Sequence, residues 1–171
     1  MNKVFYIFIL TSFLVSCWGE EKPKPPVQTI SNDQLINIHK QLVKAEDMVI
    51  KNYISENNLN VKTTGSGLRY VITKTTEGQK VNAKDNVAIN YTRDVMLKDS
   101  LKTELRNISF SVGQSSEVTS GIDEGVQLLK VGEQATFIVP PHLGYGITGE
   151  QNLSIPPKAI LVYNVEVISV N

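Results

Sequence analysis

The apolar residues of this chain change their period once, at "TTGSG" (residues 63–67), and that change calls for a helix followed by a sheet. Before it, "SNDQ" supplies a helix start: Ser31 caps, and Gln34 stands at the reciprocal position of a capping box. Leu35, Ile38, Leu42, Ala45 and Val49 then recur at steps of three and four, which predicts a helix over 31–57 that runs to about Glu56 and closes at Asn57 and Asn58. A second row, Ile36, Val43 and Ile50, lies about 100° round the helix, so the apolar surface is wider than one contact seam requires. Such a surface fits either docking on its own domain or pairing with a second copy, as a homodimer, or with a partner protein.

After residue 67 the period becomes two. "LRYVIT" opens the series, followed by "VAINYT" with Val87, Ile89 and Tyr91 on one face, "ISFSV" with Ile108, Phe110 and Val112, and "ATFIV" with Ala135, Phe137 and Val139. "AILVYNVEVISV" is the longest and aligns Leu161, Tyr163, Val165 and Val167. Between the third and fourth strands Thr119 or Ser120 can cap a short helix whose face is Ile122, Val126 and Leu129, with Gly132 to end it. The predicted fold class is α+β: a twisted antiparallel sheet wrapped round one short helix, preceded by an N-terminal amphipathic helix. A sheet with one apolar face must cover that face, and the short helix is the element available.

The first 30 residues are of another kind. "MNKVFYIFILTSFLVSC" has a basic start at Lys3, an apolar run over residues 4–15 and a small Ser16 before Cys17, the layout of a secretory signal peptide over 1–16. The run is shorter than the roughly 20 residues needed to span a bilayer as a helix. "LVSC" resembles the bacterial lipobox, which makes Cys17 the expected lipidation site and the first residue of the mature chain. "WGEEKPKPP" follows, and 17–30 reads as a stiff proline-rich tether. The expected location is the cell envelope, lipid-anchored on the periplasmic side. The outer membrane is favoured, because Trp18 stands where an inner-membrane lipoprotein commonly has aspartate.

Seventeen Lys and Arg balance seventeen Asp and Glu, so no global positive field attracts nucleic acid. One cysteine and two histidines offer no disulfide framework and no metal cluster, and neither a metal nor a cofactor is expected.

The order "VAINYT", "FSVGQSSEVTSGIDEGVQLLKVGEQATFIVPPHLGYGITGEQNLSIPP", "AILVYNVEVI" resembles an FKBP-type peptidyl-prolyl isomerase domain over 65–171. With the lipobox and the preceding helix, the layout is similar to lipoprotein isomerases associated with gliding motility. The resemblance implies a membrane-anchored isomerase that acts on Xaa-Pro segments of envelope or secreted proteins and assists their folding; its alternative is a catalytically weak chaperone or structural binding module. It implies Tyr145 and Ile155 as catalytic residues, the first through its hydroxyl and the second through its backbone N–H. Tyr91, Ile108, Phe110, Val118, Ile122 and Tyr163 are the implied substrate-binding residues. For Phe110 and Tyr163, strand positions favour plain core packing. Three departures stand out: Ile122 where many members carry tryptophan, Thr103 and Glu104 where an aromatic and an aspartate are usual, and Glu150 and Asn152 in the rim loop.

Overall fold

The computed structural model describes residues 31–96 and 105–171, and within them residues 63–67 separate one long helix from a six-stranded antiparallel sheet. The expected signal peptide, Cys17, the tether and the Thr103–Glu104 departure lie outside the described residues. Helix α1 (Asn32–Glu56) is capped reciprocally: the Gln34 N–H donates to Ser31 Oγ at 3.3 Å, and the Ser31 N–H donates to Gln34 Oε1 at 3.0 Å. It ends in a left-handed turn at Asn58, where the Leu59 N–H donates to the Ile54 carbonyl at 3.0 Å and the Asn58 N–H to that of Ser55 at 3.2 Å.

The strands are β1 (Lys62–Thr63), β2 (Arg69–Lys74), β3 (Asn86–Val95), β4 (Arg106–Ser111), β5 (Gln134–Val139) and β6 (Leu161–Val170), in the spatial order β1-β2-β5-β6-β3-β4. β1 has no counterpart in the periodicity, because two residues carry no period. On β6 the register slips where Ala88 pairs with Ser169 but Ile89 with Val167, leaving Ile168 extra. The phase of β6 flips there. Leu161, Tyr163, Val165 and Val167 face the core, and beyond the slip it is Val170 that packs on it.

Helix α2 (Ser120–Val126) is shorter than the face Ile122, Val126, Leu129 suggests. The chain tightens after Val126 through i→i+3 bonds, Leu128 N–H to Gly125 O and Leu129 N–H to Val126 O, both 3.0 Å. Leu129 stays fully buried, and Gly132, at φ 81°, donates to Val167 O at 2.7 Å and leads into β5. The inner face of the sheet and α2 enclose the main core, in which Val87, Ile89, Phe110, Val126 and Phe137 meet.

The outer face is covered by the second half of α1. Ile50, 1% exposed, packs with Ile138, Ile160, Val162 and Met96, flanked by Val49, Tyr53 and Ile54. Docking on its own domain thus accounts for that half of the apolar surface. The first half stands clear, with Leu35, Ile36, Ile38 and Val43 exposed. Among the described residues no helix is long and apolar enough to cross a membrane.

Asp47 pins this junction, bonded to Arg69 of β2 and, at 2.8 Å, to Lys51 one turn along. The hydrogen bond from Lys51, reinforced by the charges of Lys51 and Arg69, holds the Asp47 carboxyl below its ordinary value of 3.8. A carboxylate with a depressed pKa stabilises the fold above its ordinary value, and the contribution disappears as pH falls through the depressed one. The pair is partly solvated, so we expect Asp47→Asn to cost about 0.2–1 kcal/mol. Faster amide exchange at Ile50 and Tyr53 near neutral pH would register that loss. The difference from wild type should vanish in strong acid.

Candidate active site

Three segments converge at one end of the main core: the middle of β3, the start of α2, and the turn around Tyr145. "PPHLGYG" folds as a short 3-10 turn over Pro141–Leu143, after which the Gly146 N–H reaches back to the Pro141 carbonyl at 2.9 Å. That turn leaves Tyr145 half-buried at the lip, with its ring packed against the core. The loop that follows closes on itself: the Ile155 N–H donates to Glu150 O and the Glu150 N–H to Ile155 O, both 2.9 Å. Gly149 sits at φ 70° beside the Ile155 carbonyl and Pro156, where a Cβ would collide with backbone. The glycines and the Pro156–Pro157 pair therefore shape one closed loop.

The segments surround a hollow of about 20 Å³ lined by Ile89, Tyr91, Val118, Thr119, Ile122, Tyr145 and Tyr163, with Glu117 at its rim. That volume holds about one water. It is smaller than a proline ring, so entry of a ring requires Tyr145 or another half-buried wall residue to move. Tyr91 and Tyr163 form the aromatic side, with ring centroids 5.9 Å apart and planes tilted by 52°. Ile122 and Tyr163 are buried at the bottom. Burial, with Tyr145 nearby, pushes the Tyr163 phenol far above its ordinary value and keeps it neutral.

Five of the eight residues that the resemblance implies therefore line the hollow: Tyr91, Val118, Ile122, Tyr145 and Tyr163. The other three do not. Phe110 is buried in the main core, and Ile108 packs against that core from β4, which follows from their strand positions. The Ile155 side chain is buried in the same core, and its N–H, expected to face a substrate, is taken by Glu150 O. The loop's own closure consumes that donor.

Two polar groups behind the hollow are not among the residues the sequence points to. Arg93, 6% exposed, shares the inner phase of β3 with Val87, Ile89 and Tyr91. Its Nη1 donates to the Tyr145 hydroxyl at 3.3 Å, and its guanidinium carbon lies 5.9 Å from the Tyr145 ring centre, within cation–π range. Among the described residues Arg93 Nε has no partner. An arginine in phase with a buried stripe was the available signal. Thr119 is the N-cap residue of α2, yet its hydroxyl makes no capping bond and is buried without a partner at the wall of the hollow. A buried polar atom without a partner at a ligand-sized lip is poised to bond to an incoming group.

A profile of the FKBP-type peptidyl-prolyl cis-trans isomerases matches residues 74–168. The chain is 37% identical over 137 residues to a probable FKBP-type peptidyl-prolyl cis-trans isomerase FkpA of Neisseria meningitidis, covering 77% of this chain and 49% of that protein. It is 31% identical over 117 residues to FK506-binding protein 2 of Candida glabrata, covering 64% of this chain and 85% of that one. It spans about half the length of the bacterial relatives it matches. In fold it is similar to a peptidyl-prolyl cis-trans isomerase from Pseudomonas syringae, with a TM-score of 0.63 at 22% identity over 77% of this chain and 95% of that one. With more than half of the sequence matching the profile, and the sheet wrapped round α2 in the same architecture, the chain belongs to the FKBP-type peptidyl-prolyl cis-trans isomerase family.

Proposed function

We propose that this chain catalyses cis–trans rotation about Xaa-Pro bonds, in segments of envelope or secreted proteins, from a position tethered to the membrane by lipid on Cys17. The observation that carries the reading is the Tyr145 hydroxyl, which accepts from Arg93 at the lip of an apolar hollow. A hydroxyl that accepts from a guanidinium has its own proton left to donate, and the hollow is where an incoming acceptor meets it. The barrier to be lowered is about 18–20 kcal/mol, and it comes from amide conjugation. In the twisted state the carbonyl and nitrogen are decoupled. A dry wall of Tyr91, Ile122 and Tyr163 favours that less polar state over the conjugated one, while Tyr145 and the Thr119 hydroxyl replace the lost solvent at the carbonyl. No bond is broken, so neither a nucleophile nor a proton acceptor enters the scheme. The lipobox-like "LVSC" and the tether after it support the envelope location.

One observation favours a second reading. A hollow of about 20 Å³ over Ile122 is small for a ring, as in a module that binds chain segments with little catalysis, whether as a chaperone or as a subunit of a membrane-attached machine such as gliding machinery. Exchange NMR on a short Xaa-Pro peptide with the full chain separates the two. For the enzyme, exchange accelerates at substoichiometric protein, and Tyr145→Phe lowers kcat/KM about ten-fold, equal to the roughly 1.4 kcal/mol of one hydrogen bond. Peptide binding without faster exchange selects the module and removes the catalytic reading.

A further inference from the structure

The free half of α1 raises a question independent of the isomerase site. Its residues up to Gln41 are all exposed, and Val43, 61% exposed, continues an apolar surface that includes Ile36 and Ile38. Propensity alone holds a helix in water only marginally, so a projecting apolar half calls for a cover. Beside it lies a groove of about 850 Å³, walled on one side by α1 and on the other by residues 64–67 with Pro140 and His142. The α1 wall of this groove is a single helical face, and that face has an internal symmetry about Val43. Ile36 stands seven residues before Val43 and Ile50 seven after. His39 and Lys40 stand four and three before; Glu46 and Asp47 stand three and four after. Hydrophobicity is thus symmetric about Val43, while charge reverses.

We propose that the chain forms a two-fold dimer in which α1 packs antiparallel on α1 of a second copy, crossing at Val43. An antiparallel two-fold pair sets each residue against its mirror position along the helix. Val43 then meets Val43, and Ile36 enters the second copy's groove beside Ile50. Lys40 lies across from the second copy's Glu46 and Asp47. A parallel pair would put Lys40 on Lys40 and Glu46 on Glu46, so the charge pattern selects the antiparallel one. Within the chain, among the described residues, neither Lys40 nor Glu46 has an ion pair, whereas Asp47 is already held by Lys51 and Arg69. Lys40 and Glu46 are therefore the charges free to cross the interface. A partner protein of different sequence has no reason to match a face that is complementary to itself.

The test is the mass of the full chain in detergent micelles by sedimentation equilibrium, with circular dichroism to verify folding. Wild type should sediment as a dimer at micromolar concentration. Val43→Glu, at an exposed position, should weaken association by at least about ten-fold, and Lys40→Glu should weaken it through like charges facing across the axis. Combining Lys40→Glu with Glu46→Lys should restore the dimer. A wild-type chain that is monomeric throughout overturns the proposal. So does a dimer indifferent to Val43→Glu, which something other than α1 must hold, or a charge exchange that fails to restore association. None of these readouts involves catalysis, so the dimer and the isomerase reading stand or fall separately.

Discussion

Phe137→Ala should lower the unfolding free energy by about 3–5 kcal/mol, a large part of the roughly 5–15 kcal/mol that holds a domain folded. The ring is fully buried on the inner face of β5 and fills the space that Gly125 of α2 leaves open. A Cβ built on Gly125 would lie 2.6 Å from the Phe137 Cε2. Helix and sheet therefore approach as closely as they do because one presents a ring and the other no side chain. Removing the ring leaves a cavity at the seat of α2, the helix that carries Ile122 to the bottom of the hollow, so stability and the site should suffer together. Denaturant melts measure the loss, and a cost under about 1 kcal/mol would show that α2 is seated by other contacts. Gly125→Ala should also destabilise, but the double substitution should cost less than the sum, since the added methyl enters the vacated space.

Ile155→Asp should cost more than about 3 kcal/mol at neutral pH, because it places an unpaired charge where an apolar side chain was packed. Ile155 is 4% exposed and belongs to the main core, although its loop is the one implicated in catalysis. Burial raises the pKa of an introduced carboxyl. The variant should be most stable in mild acid, below the ordinary pKa of an aspartate, and lose stability as pH rises toward the raised value. Melts at pH 4 and pH 7 would reveal this, and a variant equally stable at both would place residue 155 in solvent. Because the folded population falls, any loss of activity in Ile155→Asp reports stability first. Tyr145→Phe, at a half-buried position, is the cleaner probe of catalysis.

Much of the architecture was legible because it rests on local rules. The capping box at Ser31, the Asn58 turn, the five longer strands and the helix after Thr119 each follow from spacing along the chain. β1 was illegible because two residues carry no period. The early end of α2 was illegible because the tightening after Val126 serves the entry to β5, a demand set from outside the helix. Tyr91, Val118, Ile122, Tyr145 and Tyr163 reach the hollow as their resemblance to the family implied. Ile108, Phe110 and Ile155 do not, since nothing along the chain tells whether an apolar side chain meets a hollow or the core beside it.

The sequence by itself determined where the period changes, which residues face inward on each strand, and which turns demand glycine or proline, since each is settled by the steric limits of a few neighbouring residues. Only the tertiary structure decided that Arg93 stands behind Tyr145, that the Ile155 N–H is spent on Glu150, and that α1 covers the sheet with one half and leaves the other uncovered. Those outcomes depend on groups many residues apart competing for the same space and the same hydrogen bonds, and that competition begins only once the sheet has closed around α2.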